Sequence, residues 1–341
     1  MRIVPVHLLK ENVRISSDIY DTSGKVMFYK GYKVTKDAIS KLKYFNIKFV
    51  LITDEYCNSA DFPLAELKSL ADAILNLEKF YEITSNNKVD TEIFSDAYFS
   101  VYDLVEELMI AKNKLKINYL PDNLIGNTIA SNSIYTAIMS TILGLKLGYG
   151  LEEAVELFLA AYMRNVTLHS RKIKNKKLLH PITAYEFLSK NYMLSSNILL
   201  GILHHHEAID GSGYPQKLQG DQISEYAKII HVIKMFYALR SAPGMAIRNY
   251  IDLNNFLLNA STKFDLDIIE AFVENTLYFA EDTLLRLSTG EIACVIDDGN
   301  SYIFPTLKIV KSNGMYYKEG EILNMEHMPG VNIVSFMYYV E

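Results

Sequence analysis

His204-His205-His206-Glu207-Ala208-Ile209-Asp210-Gly211-Ser212-Gly213-Tyr214-Pro215 closes an apolar run that contains Ile198, Leu199, Leu200, Ile202 and Leu203. The run has the character of a buried helix, and Pro215, with its fixed φ, discourages a helix from continuing. Gly211 and Gly213 are expected to take positive φ, a region open to glycine at no steric cost. A helix therefore delivers imidazoles to a site, and a shaped loop leaves beside it. Adjacent histidines with Glu207 and Asp210 nearby are the donor types of a metal centre or of its remains.

Around this stretch lies a chain of 341 residues, 50% of them hydrophobic, which is enough for two or three packed units. A formal net charge of −6 gives no general pull toward nucleic acid or an anionic membrane. Cys57 and Cys294 stand far apart in sequence, so no disulfide framework is implied and a reducing compartment fits. Met1–Val13 carries Arg2, Lys10 and Glu11 in place of the apolar core of a signal peptide. No apolar run approaches the length of a bilayer span. A soluble, cytoplasmic protein is expected.

The pattern changes character three times along the chain. Residues 1–54 read as a small α+β accessory domain. Its strand candidates are Val13-Arg14-Ile15, Asp18-Ile19-Tyr20, Val26–Tyr29 and Phe49–Ile52, with a turn at Thr22-Ser23-Gly24 and a helix capped by Thr35. Residues 55–120 read as a helical linker. One helix starts near Pro63 with Leu64, Leu67, Leu70, Ile74 and Leu77 on one face, and another spans Thr91–Leu115. Core packing is the default for both stripes, ahead of a partner or dimer seam. Residues 121–285 are helical, with helices expected at Thr128–Leu147, Leu151–Asn165, Pro181–Lys190, Ser196–His205, Gln222–Arg240, Tyr250–Asn259 and Asp265–Phe279. Residues 286–341 alternate as strands, with turns at Asp297-Asp298-Gly299 and Ser312-Asn313-Gly314, the second a hairpin signal. The fold class is thus mainly α, a helical bundle between a small α+β domain and a small C-terminal β subdomain.

With the central domain laid out, the sequence resembles the HD-GYP family, bacterial phosphodiesterases that degrade cyclic di-GMP. The similar block is His205-His206-Glu207 followed by Asp210-Gly211-Ser212-Gly213-Tyr214-Pro215, continuing through Gly220, Ile223, Ala227–Ile230 and Ala238-Leu239. His180-Pro181 is similar to the family's lone metal histidine at a helix start, and Lys263-Phe264-Asp265 to its Phe-Asp segment. The resemblance implies an HD-domain bundle holding two or three iron or manganese ions. An aspartate bridges them, and they activate hydroxide for attack on a phosphodiester.

The sequence departs from that pattern at the ligands. Arg164-Asn165 stand where the His-Asp pair is expected, Lys234 where a further aspartate is expected, and Asn132 where an earlier histidine is expected. Leu168 replaces a lysine that usually follows the pair. Helical phase points Arg164 inward with Ala154, Leu157 and Ala161, and Lys234 inward with Ala227, Ile230 and Tyr237. A buried ammonium without a partner loses several kcal/mol of solvation or deprotonates, so an anion is needed nearby. An internal salt bridge to Glu207 or Asp210 is the preferred expectation. A bound phosphate on Arg164 and Lys234, with Tyr214, Gly211 and Gly213 beside it, is the other.

Like charges at ~4 Å repel by roughly 4 kcal/mol at an effective dielectric of ~20, which argues against divalent ions beside two basic groups. His180, His205 and His206 are residual metal candidates only. As sequence neighbours about 100° apart on a helix, His205 and His206 are not expected to converge on one ion. Tyr135, Tyr162 and Tyr237 are expected in the core. The sequence therefore predicts a degenerate family member with no catalytic residues and no cofactor. It would act as a regulatory or interaction module in cyclic di-GMP signalling. Its partners would be cyclic di-GMP and GGDEF-type or other signalling proteins, with no nucleic acid and no membrane. A homodimer and an active phosphodiesterase with an altered metal site stay open.

Overall fold

The computed structural model describes residues 1–21, 25–47, 49–58, 64, 67–118, 129–168, 176–241, 262–277, 279–297 and 304–340. The expected turn at Thr22-Ser23-Gly24, the helix start at Pro63, the helix at Tyr250–Asn259 and the Asp298-Gly299 turn lie outside them.

The first unit pairs strands β1 (Arg2–Pro5), β5 (Phe49–Thr53) and β2 (Arg14–Ile15) in the order β1-β5-β2, all antiparallel. A second small sheet joins β3 (Ile19–Tyr20) to β4 (Val26–Phe28). Helix α1 (Lys36–Tyr44) starts where Thr35 accepts a hydrogen bond from the Ala38 N–H at 3.2 Å. Val4, Ile15, Ile19, Leu42, Val50 and Ile52 close this small core.

Two long helices follow, α2 (Leu70–Ser85) and α3 (Thr91–Ala111), and they pack on each other. Asp90 caps α3 through the N–H groups of Glu92 and Ile93, each at 3.1 Å. The bundle then continues with α4 (Ile129–Lys146), α5 (Leu151–Met163), α6 (Lys176–Asn191), α7 (Ser196–His204), α8 (Glu225–Ser241) and α9 (Leu266–Glu274). In α5 every residue from Leu157 to Met163 is buried, so the second half of this helix is apolar all round and sits in the centre of the bundle. It packs on α3, α4, α7 and α8. None of the helices among the described residues is long and apolar enough to cross a membrane.

Three expectations about these elements change. Helix α6 begins at Lys176, before Pro181. Proline here gives up one backbone bond early in the helix without ending it. Helix α7 stops at His204, whose carbonyl accepts the Glu207 N–H at 2.7 Å, so His205 and His206 belong to the turn that follows. The Ser312-Asn313-Gly314 hairpin is not tight, because its strands end at Lys311 and resume at Ile322. Asn313 instead donates to the Thr289 carbonyl at 2.7 Å and ties the loop to the neighbouring turn.

The C-terminal sheet runs in the order β10-β6-β7-β8-β9, from β6 (Leu284–Leu287), β7 (Ile292–Asp297), β8 (Thr306–Lys311), β9 (Ile322–Asn324) and β10 (Ile333–Met337). Its apolar face joins the bundle core through Leu285, Val295, Leu307 and Ile309. The first unit touches this sheet region, with the Asn58 N–H on Asp282 Oδ1 at 2.7 Å and the Lys10 N–H on the Tyr339 hydroxyl at 2.9 Å.

Phe236 of α8 is fully buried and meets Phe272 of α9 edge to face, with centroids 5.2 Å apart. Phe236→Ala is expected to lower stability by about 3–5 kcal/mol in urea unfolding. Phe99→Ala, on the outer face of α3, should change it by less than about 0.5 kcal/mol.

Candidate functional site

The turn after α7 places His205 and His206 beside His180 of α6. One nitrogen from each of the three rings lies within 4.8 Å of the others. The rings converge although His205, the C-cap of α7, keeps helical φ and ψ, so the offset of about 100° does not keep them apart here. Among the described residues this is the one group of three or more donors that could hold a metal ion, and it contains no carboxylate.

Hydrogen bonds fix the tautomers of His205 and His180. His205 Nδ1 lies 2.7 Å from the Ile202 carbonyl and can only donate there, so Nε2 carries the lone pair. His180 Nε2, 3.1 Å away, must then donate to it. His206 Nδ1 lies 2.9 Å from Lys234 Nζ, which also donates to the His205 carbonyl at 2.9 Å. This bond joins the amine to the imidazole without fixing which nitrogen donates. The His206 ring stacks on Tyr214, with centroids 4.4 Å apart and planes 18° from parallel.

Arg164 caps the C-terminus of α5 and is 3% exposed. Its guanidinium donates to the Ala161 carbonyl and, at 2.9 Å, to Thr136 Oγ1, while Nε has no partner among the described residues. One turn before Thr136 on α4, Asn132 accepts from the Tyr237 hydroxyl, one turn after Lys234 on α8. Tyr135 packs on Tyr237 with centroids 4.6 Å apart. Tyr135 and Tyr162 are core residues as expected, whereas Tyr237 is only partly buried and closes this side of the site. The Asn165 carbonyl accepts the Tyr81 hydroxyl at 3.0 Å, and Leu168 lies in the turn beyond, its N–H 2.9 Å from the same carbonyl.

Burial dominates the electrostatics. It pulls the Lys234 amine well below its ordinary range, with Arg164 adding to the effect, and it lowers Arg164 to about 10. Burial also holds His205 and His206 well below the usual histidine range, with Lys234 acting in the same direction on both. His231, whose Nδ1 donates to the Glu207 carbonyl, is pushed down to about 3 by burial first and Lys234 second.

The expected salt bridge is absent among the described residues. Glu207 is buried, but its carboxylate accepts the N–H groups of Gln216 at 2.6 Å and Leu218 at 3.1 Å. Asp210 is exposed and accepts the Ser212 N–H at 2.8 Å. Both carboxylates shape the loop and neither reaches Arg164 or Lys234. The two glycines also differ in their reasons. Gly211 has φ +78°, as expected, whereas Gly213 is needed for space, since a Cβ there would lie 2.4 Å from the Glu207 Cα. Nothing in the sequence signalled His204, whose Nδ1 accepts the Ser224 N–H at 3.2 Å and pins the start of α8.

With this geometry in hand, comparison with known proteins gives a consistent result. The family model of the HD domain matches residues 150–265. The cyclic di-GMP phosphodiesterase PdeB of Borreliella burgdorferi is 25% identical over 276 residues, 76% of this chain and 72% of that protein. The cyclic di-GMP phosphodiesterase PA4108 of Pseudomonas aeruginosa is 30% identical over 132 residues, 38% of this chain and 32% of that protein. The solved structure of Bd1817, a HDG"Y"P protein from Bdellovibrio bacteriovorus, shares the fold. It matches at a TM-score of 0.51 and 14% identity, over 80% of this chain and 97% of that one. Residues 150–265 are therefore an HD domain. The relatives the chain matches carry the name of cyclic di-GMP phosphodiesterases, and the solved structure that shares its fold is a HDG"Y"P protein.

The resemblance implies two or three iron or manganese ions, and the residues present do not fit that set. The donors are three imidazoles without a bridging carboxylate, and one of the rings is already hydrogen-bonded to Lys234.

Gly213→Ala must displace the backbone at Glu207 and is expected to cost about 1–3 kcal/mol. Glu207→Ala strands two loop N–H groups and should cost about 1–3 kcal/mol. Urea unfolding measures both, and loss of protection at Gln216 and Leu218 in hydrogen exchange locates the effect of the second.

Proposed function

We propose that this HD-GYP-type chain is without phosphodiesterase activity and acts as a regulatory or interaction module in bacterial cyclic di-GMP signalling. The observation that carries the reading is the Lys234 amine on His206 Nδ1 at 2.9 Å, with the buried guanidinium of Arg164 near the same rings. Two or three divalent ions held close together repel one another, and three imidazoles supply no negative charge to offset that repulsion. Here the residues at the expected carboxylate positions are basic or neutral, namely Arg164, Asn165 and Lys234. The carboxylates nearest in sequence are engaged by loop N–H groups.

In this reading His180, His205 and His206 are neutral, hydrogen-bonded packing groups, and no cofactor is required. Arg164 and Lys234 remain available to a ligand. Cyclic di-GMP, the substrate in the names of the relatives, is the ligand class proposed, and GGDEF-type or other signalling proteins are the proposed partners. The convergence of three imidazoles within 4.8 Å is what favours the second reading, a hydrolase with an altered metal content. Lys234 weighs against it, because an ion bound there would face a basic group already bonded to one of its ligands.

Purified full-length protein with cyclic di-GMP and added manganese or ferrous iron is expected to yield no linear dinucleotide or GMP above the protein-free control. Turnover at an ordinary enzymatic rate, on the order of 1 s⁻¹ or more, would refute the non-catalytic reading.

A further inference from the structure

We infer that this chain associates with a second copy of itself, the basic face of its first unit docking on the exposed face of α3. Charge is divided unevenly along the sequence. Residues 1–54 carry ten Lys and Arg against five Asp and Glu, although the whole chain stands at −6. Helix α3 carries Glu92, Asp96, Asp103, Glu106 and Glu107 and no basic residue. Glu92, Asp96, Phe99, Asp103, Glu106 and Ile110 are all exposed, and alternating steps of four and three put them on one face. The stripe is about 27 Å long at the rise of an α-helix. Within it Phe99 is 63% and Ile110 82% exposed. An acidic face that also leaves two large apolar side chains in water suits a partner that is basic and aromatic.

The first unit supplies that chemistry. On α1, Lys36, Ser40 and Lys43 share the exposed face, and Tyr44 beside them is 84% exposed. The turn Tyr29–Lys33 precedes this helix and is tied down on three sides. The Lys30 N–H donates to Asp18 Oδ1 at 2.6 Å, the Gly31 N–H to the Ile15 carbonyl at 2.7 Å, and the Arg14 guanidinium to the Gly31 carbonyl at 3.0 Å. Exposed Tyr29, Lys30 and Lys33 are thus presented on a backbone with little freedom left to lose on binding. Among the described residues the one carboxylate within 4.0 Å of a basic nitrogen of this face is Glu11, 3.9 Å from Lys36 Nζ, and no basic group lies that close to an α3 carboxylate. The two faces do not cover each other within one chain. Helix α3 packs on α2, α4 and α5, whereas the first unit meets the C-terminal sheet region. A second copy covers both at once, and about a two-fold axis the contact occurs twice and closes into a dimer. A nucleic acid or an anionic membrane would take the basic face alone and leave Phe99 and Ile110 in water. Neither face includes a residue of the histidine cluster, so association holds for an active or an inactive bundle alike.

Sedimentation velocity of the full chain reads the association. A concentration-dependent dimer is expected at about 0.1 M salt, where charges act over about 10 Å. At about 1 M salt, where they act over about 3 Å, its association constant should fall by about tenfold or more. Two charge-reversed proteins assign the faces, K33E/K36E/K43E for the basic one and D96K/D103K/E106K for the acidic one. Each alone should associate about tenfold or more weakly, because every contact then sets like charges together. Mixed in equal amounts they should recover the dimer. The two reversed faces then attract each other in one contact, and the two unaltered faces do so in the other. An unaltered chain that stays monomeric, association unchanged in either reversed protein, or a mixture that stays monomeric overturns the inference. A monomer that instead binds a mixed-sequence DNA duplex or a phosphatidylserine vesicle through Lys33, Lys36 and Lys43 gives the basic face to that partner and overturns it too.

Should a reversed protein fail to fold by circular dichroism, cross-linking of the unaltered chain replaces it. A carbodiimide joins lysines to carboxylates in direct contact, and mixing isotopically heavy and light chains separates links between copies from links within one. Heavy-to-light links from lysines of residues 30–43 to carboxylates of residues 92–106 support the contact. Links between copies confined to other surfaces overturn it.

Discussion

A basic amine bonded to an imidazole inside a helical bundle sets the character of this protein. Lys234 Nζ reaches His206 Nδ1 and the His205 carbonyl at 2.9 Å each, and its environment disfavours any further positive charge. His205, His206 and His231 are all held below the usual histidine range, burial first and Lys234 among the causes in each case. Each of these three rings is thereby biased toward its neutral form. The Ile202 carbonyl sets the tautomer of His205, and through it that of His180.

The loop beside it stands on different physics. Glu207, Gly211 and Gly213 keep the turn from His204 to Pro215 in shape through a buried carboxylate on two N–H groups, a positive φ and a close backbone contact. None of these interactions needs an ion in the site. The most recognisable part of the sequence is thus a folding device, and it can persist whether or not the chemistry beside it does.

This separation explains what could be read from the sequence. Periodicity and the His204–Pro215 motif are local signals, and they give the bundle, its HD domain and the inward phase of Arg164 and Lys234. Contacts between distant segments are not local. His180 meets His205 across 25 positions, a contact between α6 and the end of α7 that no local pattern announces. Glu207 looked available to a buried cation because it is close in sequence. Its true partners, Gln216 and Leu218, become neighbours only when the loop folds back. The link from Asn132 to Tyr237 spans 105 positions and has no sequence signature.

The central claim is that basic side chains have taken the place of metal charge, and metal content tests it most directly. Elemental analysis of the purified, desalted chain should find iron, manganese and zinc far below one ion per chain. One or more ions per chain, lost in His205→Ala, would contradict the account.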